Sequence, residues 1–528
     1  MLKTYSLAHK MEHTILFFLA WPCLMHVVYG ANILLYPFSQ GVNSRLRNME
    51  KMADILLTAG HNISLIASSK YHEDQRQINP RIQVLKFDIP EDTYLGNDPI
   101  WADIAVNGTV MDFLTQFSKV QLTFCEGLLK SRLLLRIKKS NYDVCILDYI
   151  DYCTTLVIDY LDDVPIILYT NEGSIYQSII TGPRHPNPLS FVPDIFLGFT
   201  DTMDFSQRFV NLFTTVSIQI LSYFNIRNLM ALRDKYQINT TVNAMYSVSE
   251  RVDMFFSNNH IALDYPRPHM PNHIYIGGLY LEPAKSLNAK FQDIVDNSQG
   301  VIIISLGSMD IPPLPMYQFE KMAEVFSNLP YTVIWKYKGI KPKSTGDNIY
   351  LSPWIPQNDL LGHSKTKLFV SHCGISSTFE AMYHGIPVLA LPLGTDQPYH
   401  SKQLTIRAKM AIELDAKSFT AVELNDAILK LFNDASYAEN AQKMSGLIKD
   451  NPQNIRETFL YWVNYTIRYK GANHLKSKPL NDLNLLQYFC LDVIALVITI
   501  LGIALLITFW FCKLLLSKVR GNVKKKKE

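Results

Sequence analysis

The sequence has little excess of either charge. Across 528 residues, 50 Lys and Arg stand against 47 Asp and Glu, for a net of +3. Residues 513–528 alone hold seven Lys or Arg and one Glu, which leaves about −3 for the rest. Binding a polyanion needs clustered cations, so nucleic acid has no support as a partner outside that tail. Cysteine is scarce as well. Cys23, Cys490 and Cys512 lie at the chain's ends, and the interior four, Cys125, Cys145, Cys153 and Cys373, lack zinc-ligand spacing. A bridge among them is open, but spacing does not choose the pair. No G-x-G-x-x-G follows the first expected strand, which argues against a nicotinamide or flavin dinucleotide. No Asp-x-Asp cluster is present to bring a divalent metal to a diphosphate. Neither a metal nor a cofactor is therefore expected.

Long apolar runs are confined to the two ends. Lys3 and Lys10 precede the run 15–28, and Val28-Tyr29-Gly30 offers a cleavage site before Ala31, as in a secretory signal over residues 1–30. Met11 is an alternative start that keeps the apolar core, and an uncleaved anchor is the competing reading. At the other end, residues 493–512 carry no charge. Twenty residues at 1.5 Å rise cross a hydrocarbon core of about 30 Å. Asp492 bounds this span on one side, and Lys513, Lys518, Arg520 and Lys524 to Lys527 bound it on the other. The positive-inside rule then places the basic tail 513–528 in the cytosol and the bulk in the lumen, a single-pass type I arrangement. The closing KKKE, with Lys525 and Lys526, resembles a dilysine retrieval signal for the endoplasmic reticulum; a basic stop-transfer flank satisfies the same residues. Asn62, Asn107, Asn239 and Asn464 begin N-x-S/T sequons on the expected luminal side. Asn62 opens a buried strand and is the one least expected to carry sugar. A single span in the mature chain argues against a receptor or transporter.

The most informative stretch runs from Trp354 to Gln397: WIPQNDLLGH, then FVSHCGISSTFEAMYHGIPVLALPLGTDQ. The apolar runs 367–370 and 388–391 read as buried parallel strands, with a helix over 376–384 between them. In an open α/β sheet ligands sit beyond the carboxyl ends of the strands, so His372, Cys373, Gly374, Ser376 and Ser377 fall at the mouth of such a site. Gly374 permits a tight turn, and Ser376 and Ser377 bring hydroxyls and free N–H groups to a helix N-terminus, which binds anions. Glu380 follows one turn later on the same face, placed for a hydroxyl-bearing group beside the anion. Phosphate followed by ribose suits that order. Trp354 offers an aromatic face to a base and Gln357 an amide edge. Asp396 and Gln397, after the next strand, are placed for sugar hydroxyls. Any one of these residues alone would read as core or solvated surface; their order is what carries the inference.

This stretch resembles the nucleotide-sugar signature of the UDP-glycosyltransferases, the family of glucuronosyl- and glucosyltransferases. The likeness extends upstream through YIGGLYLEPAK and IISLGSM and downstream through WVNYTIRYKGANHL to the apolar tail. The resemblance implies that Trp354 stacks on uracil and Gln357 contacts the uridine. It further implies that Ser308, His372 and Ser377 bind the diphosphate, Glu380 the ribose, and Asp396 and Gln397 the sugar. Two departures stand out: Cys373 lies where many animal members have a second glycine, and His400 replaces a common asparagine.

The amino-terminal half reads as a second α/β unit. A strand is expected over 32–38, a helix over 46–59 stopped by Gly60, and a strand over 63–67. Aromatic and apolar residues at 191–203 and 209–224 fall at helical spacing and are expected as core, the alternatives being an acceptor-pocket lining or a membrane-facing surface. With the resemblance, the expected architecture is α/β of GT-B type. It comprises an acceptor-binding Rossmann-like domain over 31–275, a UDP-sugar-binding Rossmann-like domain over 276–450 facing it across a cleft, a closing segment over 451–492, and one C-terminal transmembrane helix.

The family usually supplies a histidine base after the first strand, and counting back from Ala59-Gly60-His61 places that position at Arg45. No histidine lies between His26 and His61. Arginine stays protonated near neutral pH and is no general base. Asp148, in YDVCILDYIDYC, matches the carboxylate that orients the family's histidine; opposite Arg45 it would instead form an ion pair. Three consequences are open: acceptors needing little base assistance (amines, thiols, carboxylates), Asp148 or Asp151 as base, or a chain that binds UDP-sugar without transferring it. The expected function is transfer of a glucuronosyl or glucosyl group from UDP-glucuronate or UDP-glucose to small lipophilic acceptors with inversion. The alternative is an impaired member that binds UDP-sugar or regulates a partner transferase. Homo- or hetero-oligomers are left open.

Overall fold

The computed structural model describes residues 30–525 except 41–42, 70–78, 91–103, 105–109, 162, 172–184, 239–246, 308–313 and 478–481. The expected signal segment up to Tyr29, Ser308, the sequons at Asn107 and Asn239, and Lys526 of the dilysine pair lie outside these residues. The chain divides into two compact units, one ending at Leu475 and one beginning at Lys476.

The first unit contains two wholly parallel sheets. One holds β1 (Asn32–Tyr36), β2 (Asn62–Ser68), β3 (Gln83–Phe87), β4 (Val144–Asp148), β5 (Ile166–Thr170), β6 (Val252–Ser257) and β7 (His273–Tyr275), in the order β3-β2-β1-β4-β5-β6-β7. The other holds β8 (Val301–Ser305), β9 (Thr332–Lys336), β10 (Ile349–Ser352), β11 (Thr366–Ser371), β12 (Val388–Ala390) and β13 (Ala411–Glu413), in the order β10-β9-β8-β11-β12-β13. Both are doubly wound, and the order reverses between β1 and β4 and between β8 and β11. Such a switch point opens a crevice beyond the strand ends. β4 and β8 are near-continuous apolar runs because helices cover both sheet faces. Side-chain alternation sends Leu34 and Leu147 to one core and Ile33 and Ile146 to the other.

The first helix spans Asn43–Thr58 and is followed by Gly60 at φ +93°, a left-handed turn that leads into β2. The helix Ile455–Arg468 returns to the first sheet, where Phe459 and Val463 enter the same core as Ile33 and Ile146. Gly471 and Ala472 then settle against Asp253, whose carboxylate accepts the Ala472 N–H at 3.1 Å. Of the interior cysteines, Cys125 and Cys153 are joined in a disulfide, while Cys145 and Cys373 are free and buried. The bridge ties the helix Val110–Lys130 to the helix Cys153–Tyr160, a pairing that required the tertiary structure.

One expectation is overturned. Residues 191–203 form turns rather than a helix, although Val192, Ile195 and Met203 are buried as expected of core, and the long helix Phe205–Lys235 turns its apolar residues outward: Phe205, Phe209 and Phe213 are 77%, 61% and 65% exposed. Its buried positions include Asn211, Thr215, Gln219 and Asn225. Helical spacing of apolar residues fixes which of them share a face; it does not say that the face turns inward.

In the second unit a helix runs Leu491–Lys525, longer than the uncharged run requires. Within its stretch Leu491–Lys518 an 18-residue window has mean hydropathy 2.8 and none of it is buried, which fits a membrane-crossing segment by length and composition.

Candidate active site

The expected donor residues converge beyond the carboxyl ends of β8, β9 and β11. The helix Ile375–His384 starts at Gly374, which has no side chain to cap it, so the N–H groups of its first turn remain available to an anion. Gln357 opens the short helix Gln357–Leu361 and reaches across. Its Nε2 donates to the Ser377 Oγ at 3.2 Å and to a Glu380 carboxylate oxygen at 2.5 Å. Residues some twenty positions apart thus form one hydrogen-bonded group. Burial pushes the Glu380 carboxyl up to about 7, against the Gln357 hydrogen bond and the positive charge of Arg47.

His372 follows β11 beside the same helix start. Burial lowers its pKa to about 4, so the ring is neutral, and its buried Nδ1 finds no hydrogen-bond partner of normal geometry. The other ring nitrogen, Nε2, is the one nearest the helix start, and a neutral imidazole protonated there can donate to a phosphate oxygen. The ring is gripped by two glycines. A Cβ on Gly374 would lie 2.6 Å from His372 Nε2, and one on Gly307, which has φ +109°, would lie 3.2 Å from it. Cys373, between them, has φ +63°, the left-handed region that favours glycine; this accounts for glycine as the commoner residue there. Thr395 has φ +57° at the opposite side of the mouth.

Asp396 and Gln397 follow the loop after β12 and are largely engaged within the protein. Asp396 Oδ2 lies 3.2 Å from His400 Nε2, and Thr395 Oγ1 donates to Asp396 Oδ1 at 2.9 Å. Burial alone would raise this carboxyl, but His400 and Thr395 outweigh it and hold it at about 2. The departure at His400 therefore supplies Asp396 with a partner. Gln397 Oε1 accepts from Leu393 N–H at 2.8 Å, leaving its amide N–H₂ as the group to reach outward.

Two cations of the site were not foreseen. Lys336, the last residue of β9, donates from Nζ to Gly307 O at 2.8 Å and stands 4.7 Å from the centroid of the Trp354 ring. Arg47, from the first lobe, sits 4.2 Å above the same ring, which is 52% exposed. A base stacking on Trp354 therefore meets a face that already attracts a guanidinium. A lysine at the end of a strand near the IISLGSM segment was the available signal for Lys336; Arg47 gave none, because it acts across the cleft.

Two residues before Arg47, the Arg45 guanidinium turns inward. Its Nη1 donates to Asp148 Oδ1 at 2.9 Å, with side chains 4% and 0% exposed. Asp148 closes β4 and also accepts the Ile150 N–H at 3.2 Å. Burial raises its pKa, and the Arg45 charge opposes that rise. Nearby Asp151 accepts from Cys153 N at 2.9 Å and Gln40 Nε2 at 3.2 Å, and burial pushes it up to about 7. It is only 2% exposed.

The comparisons bear on the family and the fold. The family model described as UDP-glucoronosyl and UDP-glucosyl transferase matches residues 32–527. The chain is 29% identical to human UDP-glucuronosyltransferase 2A2, over 96% of each chain. It is 31% identical to rabbit (Oryctolagus cuniculus) UDP-glucuronosyltransferase 2C1, over 86% of this chain and 92% of the relative. Among solved structures, Os79 from O. sativa superposes with a TM-score of 0.57 at 15% identity, covering 82% of this chain and 99% of that one. The calicheamicin glycosyltransferase CalG4 does so with a TM-score of 0.56 at 14% identity, covering 83% and 99%. These two likenesses establish the GT-B arrangement of two Rossmann-like lobes. By sequence and by fold, the chain belongs to the UDP-glucoronosyl and UDP-glucosyl transferase family.

Proposed function

We propose that this chain transfers a glucuronosyl or glucosyl group from a UDP-sugar to small lipophilic acceptors with inversion. The observation that carries the reading is the uncapped start of the helix Ile375–His384 joined to the Gln357–Ser377–Glu380 cluster. Trp354 stacks the uracil, Gln357 contacts the uridine, Glu380 takes the ribose hydroxyls, and Asp396 and Gln397 address the sugar. The acceptor attacks the anomeric carbon as the bond to the diphosphate oxygen breaks, and UDP leaves with the electron pair. The first-turn N–H groups, Ser376, Ser377, His372 and Lys336 meet the growing negative charge, with Ser308 assigned to the same role by the family resemblance. Such preorganised donors act most strongly where charge develops. Because the protein supplies this apparatus itself, a chelator is expected to leave UDP-sugar affinity unchanged by equilibrium binding; a large loss would overturn metal-independent recognition.

Asp148 is committed to Arg45, and Asp151 keeps its oxygens in the interior. Neither carboxylate is presented to an acceptor, which favours acceptors that are already nucleophilic: amines, thiols and carboxylates. Positioning then supplies much of the rate. The test is UDP release from UDP-glucose and UDP-glucuronate by membranes containing the chain, with phenol, amine and carboxylate acceptors, beside Arg45→His. Turnover restricted to amines or carboxylates, with phenols gained in the variant, supports the reading. Donor binding without turnover in the natural chain, with activity only in Arg45→His, would make it a binding protein instead.

Glu380 adds a pH signature. Ribose hydroxyls donate best to the ionised carboxylate, whose pKa lies at about 7, so KM for the UDP-sugar is expected to fall as pH rises through 7. Glu380→Gln should flatten that profile.

The same reading places the chain in the endoplasmic reticulum membrane, type I, with both lobes luminal. The positive-inside tail, the sequons and the disulfide support it, since such bridges persist in oxidising compartments.

A further inference from the structure

The loop between β6 and β7 starts and ends in the first sheet, yet its middle is built into the second lobe. Leu263 is buried in the same core as Phe369 and Phe379. The His260 ring lies 6.4 Å from that of Phe379, on the helix Ile375–His384 that opens the anion site. Four residues on, the Asp264 carboxylate is fully committed, and two of its donors come from the other lobe. Oδ1 accepts from the Tyr399 hydroxyl at 2.8 Å, the Tyr265 N–H at 3.0 Å, Arg267 Nη2 at 3.3 Å and Gln403 Nε2 at 3.5 Å, while Oδ2 accepts from Asn259 Nδ2 at 2.6 Å. Arg267 Nη2 also donates to the Tyr399 hydroxyl at 2.8 Å. Both charged side chains are buried. A buried ion pair adds little net stability; what this one fixes is where Tyr399 and Gln403 lie.

Those two residues belong to the helix Gln397–Lys402, which starts at Asp396, and to the π-helical turn Gln403–Arg407 that continues it. A carboxylate only accepts, so Asp264 turns the Gln403 amide with Nε2 inward and Oε1 toward His400. His400 Nδ1 must then donate to Gln403 Oε1, 2.9 Å away, and this aims Nε2 at Asp396 Oδ2, at 3.2 Å. Asp264, Gln403, His400 and Asp396 thus form one chain of contacts, from a loop of the acceptor lobe to the carboxylate assigned to the donor sugar. A second acceptor-lobe segment meets the same helix from another side: a Cβ on Gly198 would lie 3.4 Å from Pro398 Cβ.

We propose that Asp264 is a positioning residue for the donor sugar, acting through Gln403 and His400 to hold Asp396 in register with the acceptor lobe. The assignment rests on the transferase reading above. It gives the two lobes a shared reference, because the loop that carries Asp264 is continuous with β6 and β7 of the acceptor lobe.

The test compares membranes containing the natural full-length chain, Gln403→Met, Asp264→Asn, Asp396→Asn and Gln403→Met/Asp396→Asn. Gln403→Met keeps the length of the side chain and cuts only the relay. Asp264→Asn is the harsher change, since its amide N–H₂ must face either Asn259 Nδ2 or the Tyr399 hydroxyl and Arg267 loses its counter-charge; Gln403→Met decides if that variant does not fold. In both, UDP affinity by equilibrium binding should be unchanged, while kcat/KM for the UDP-sugar falls by about 10²-fold, the scale of an ångström's misplacement of a reacting group. Added to Asp396→Asn, Gln403→Met should cost nothing further. An unaltered kcat/KM in Gln403→Met, a parallel loss of UDP affinity, or losses that multiply with Asp396→Asn would each overturn the assignment and leave the transferase reading standing. Absence of turnover in the natural chain would overturn both together.

Discussion

Asp148→Ala is expected to destabilise the amino-terminal lobe by about 3–5 kcal/mol, the cost of leaving one member of a buried ion pair without its partner. Arg45 would keep its charge in the interior, since arginine does not surrender its proton near neutral pH. Asp148 is wholly buried and its partner nearly so, so water cannot replace the lost carboxylate without opening the β1–β4 crevice. The double variant Arg45→Met/Asp148→Leu should recover most of the loss, because apolar residues of similar volume remove both desolvation costs together. Urea unfolding of the three proteins, followed by near-ultraviolet circular dichroism, reads the difference. A single variant no less stable than the double would show that the pair is solvated, and would return Asp148 to consideration as a proton acceptor. Arg45→His belongs to a different class, since an imidazole can still donate to Asp148.

The donor half of the site was legible because its residues follow one another through a single β-strand–helix–β-strand passage. Strand periodicity set the ends of β11 and β12 to within a residue or two, and the anion-binding turn falls between them. The same logic found the first lobe's opening strand, helix and strand, while the family resemblance is what put Arg45 opposite Asp148. What stayed hidden depends on distance through space. Lys336 enters from a neighbouring strand, and Arg47 comes from the other lobe. The Cys125–Cys153 bridge depends on two helices meeting. The helix at 205–235 misled for a different reason. Its period was read correctly, but its polar residues find partners inside, in the Asn211 and Asn225 hydrogen bonds, and its apolar row is left outside. Periodicity carries no sign, and only the surroundings distinguish a core-facing strip from one turned outward.

Gly374→Ala should lower kcat/KM for the UDP-sugar by about 10²–10³-fold, the usual cost of losing one preorganised donor to a developing anion. Gly374 has φ −61° and ψ 146°, an extended backbone that any residue adopts, so alanine brings no backbone strain. Its Cβ would instead fall 2.6 Å from His372 Nε2, and the imidazole would have to leave the phosphate side of the helix start. His372→Ala should cost about the same by removing the ring outright. The two changes act through one side chain, so the double variant should match His372→Ala alone rather than multiply the losses. Two equal single effects that multiply would mean that Gly374 matters by letting the diphosphate approach the backbone, independently of His372. Isothermal titration with UDP and steady-state rates with UDP-sugar, measured on the same four proteins, separate these accounts. A loss confined to kcat places the histidine on the departing diphosphate in the transition state, and a loss in UDP affinity places it on the phosphates of the ground state.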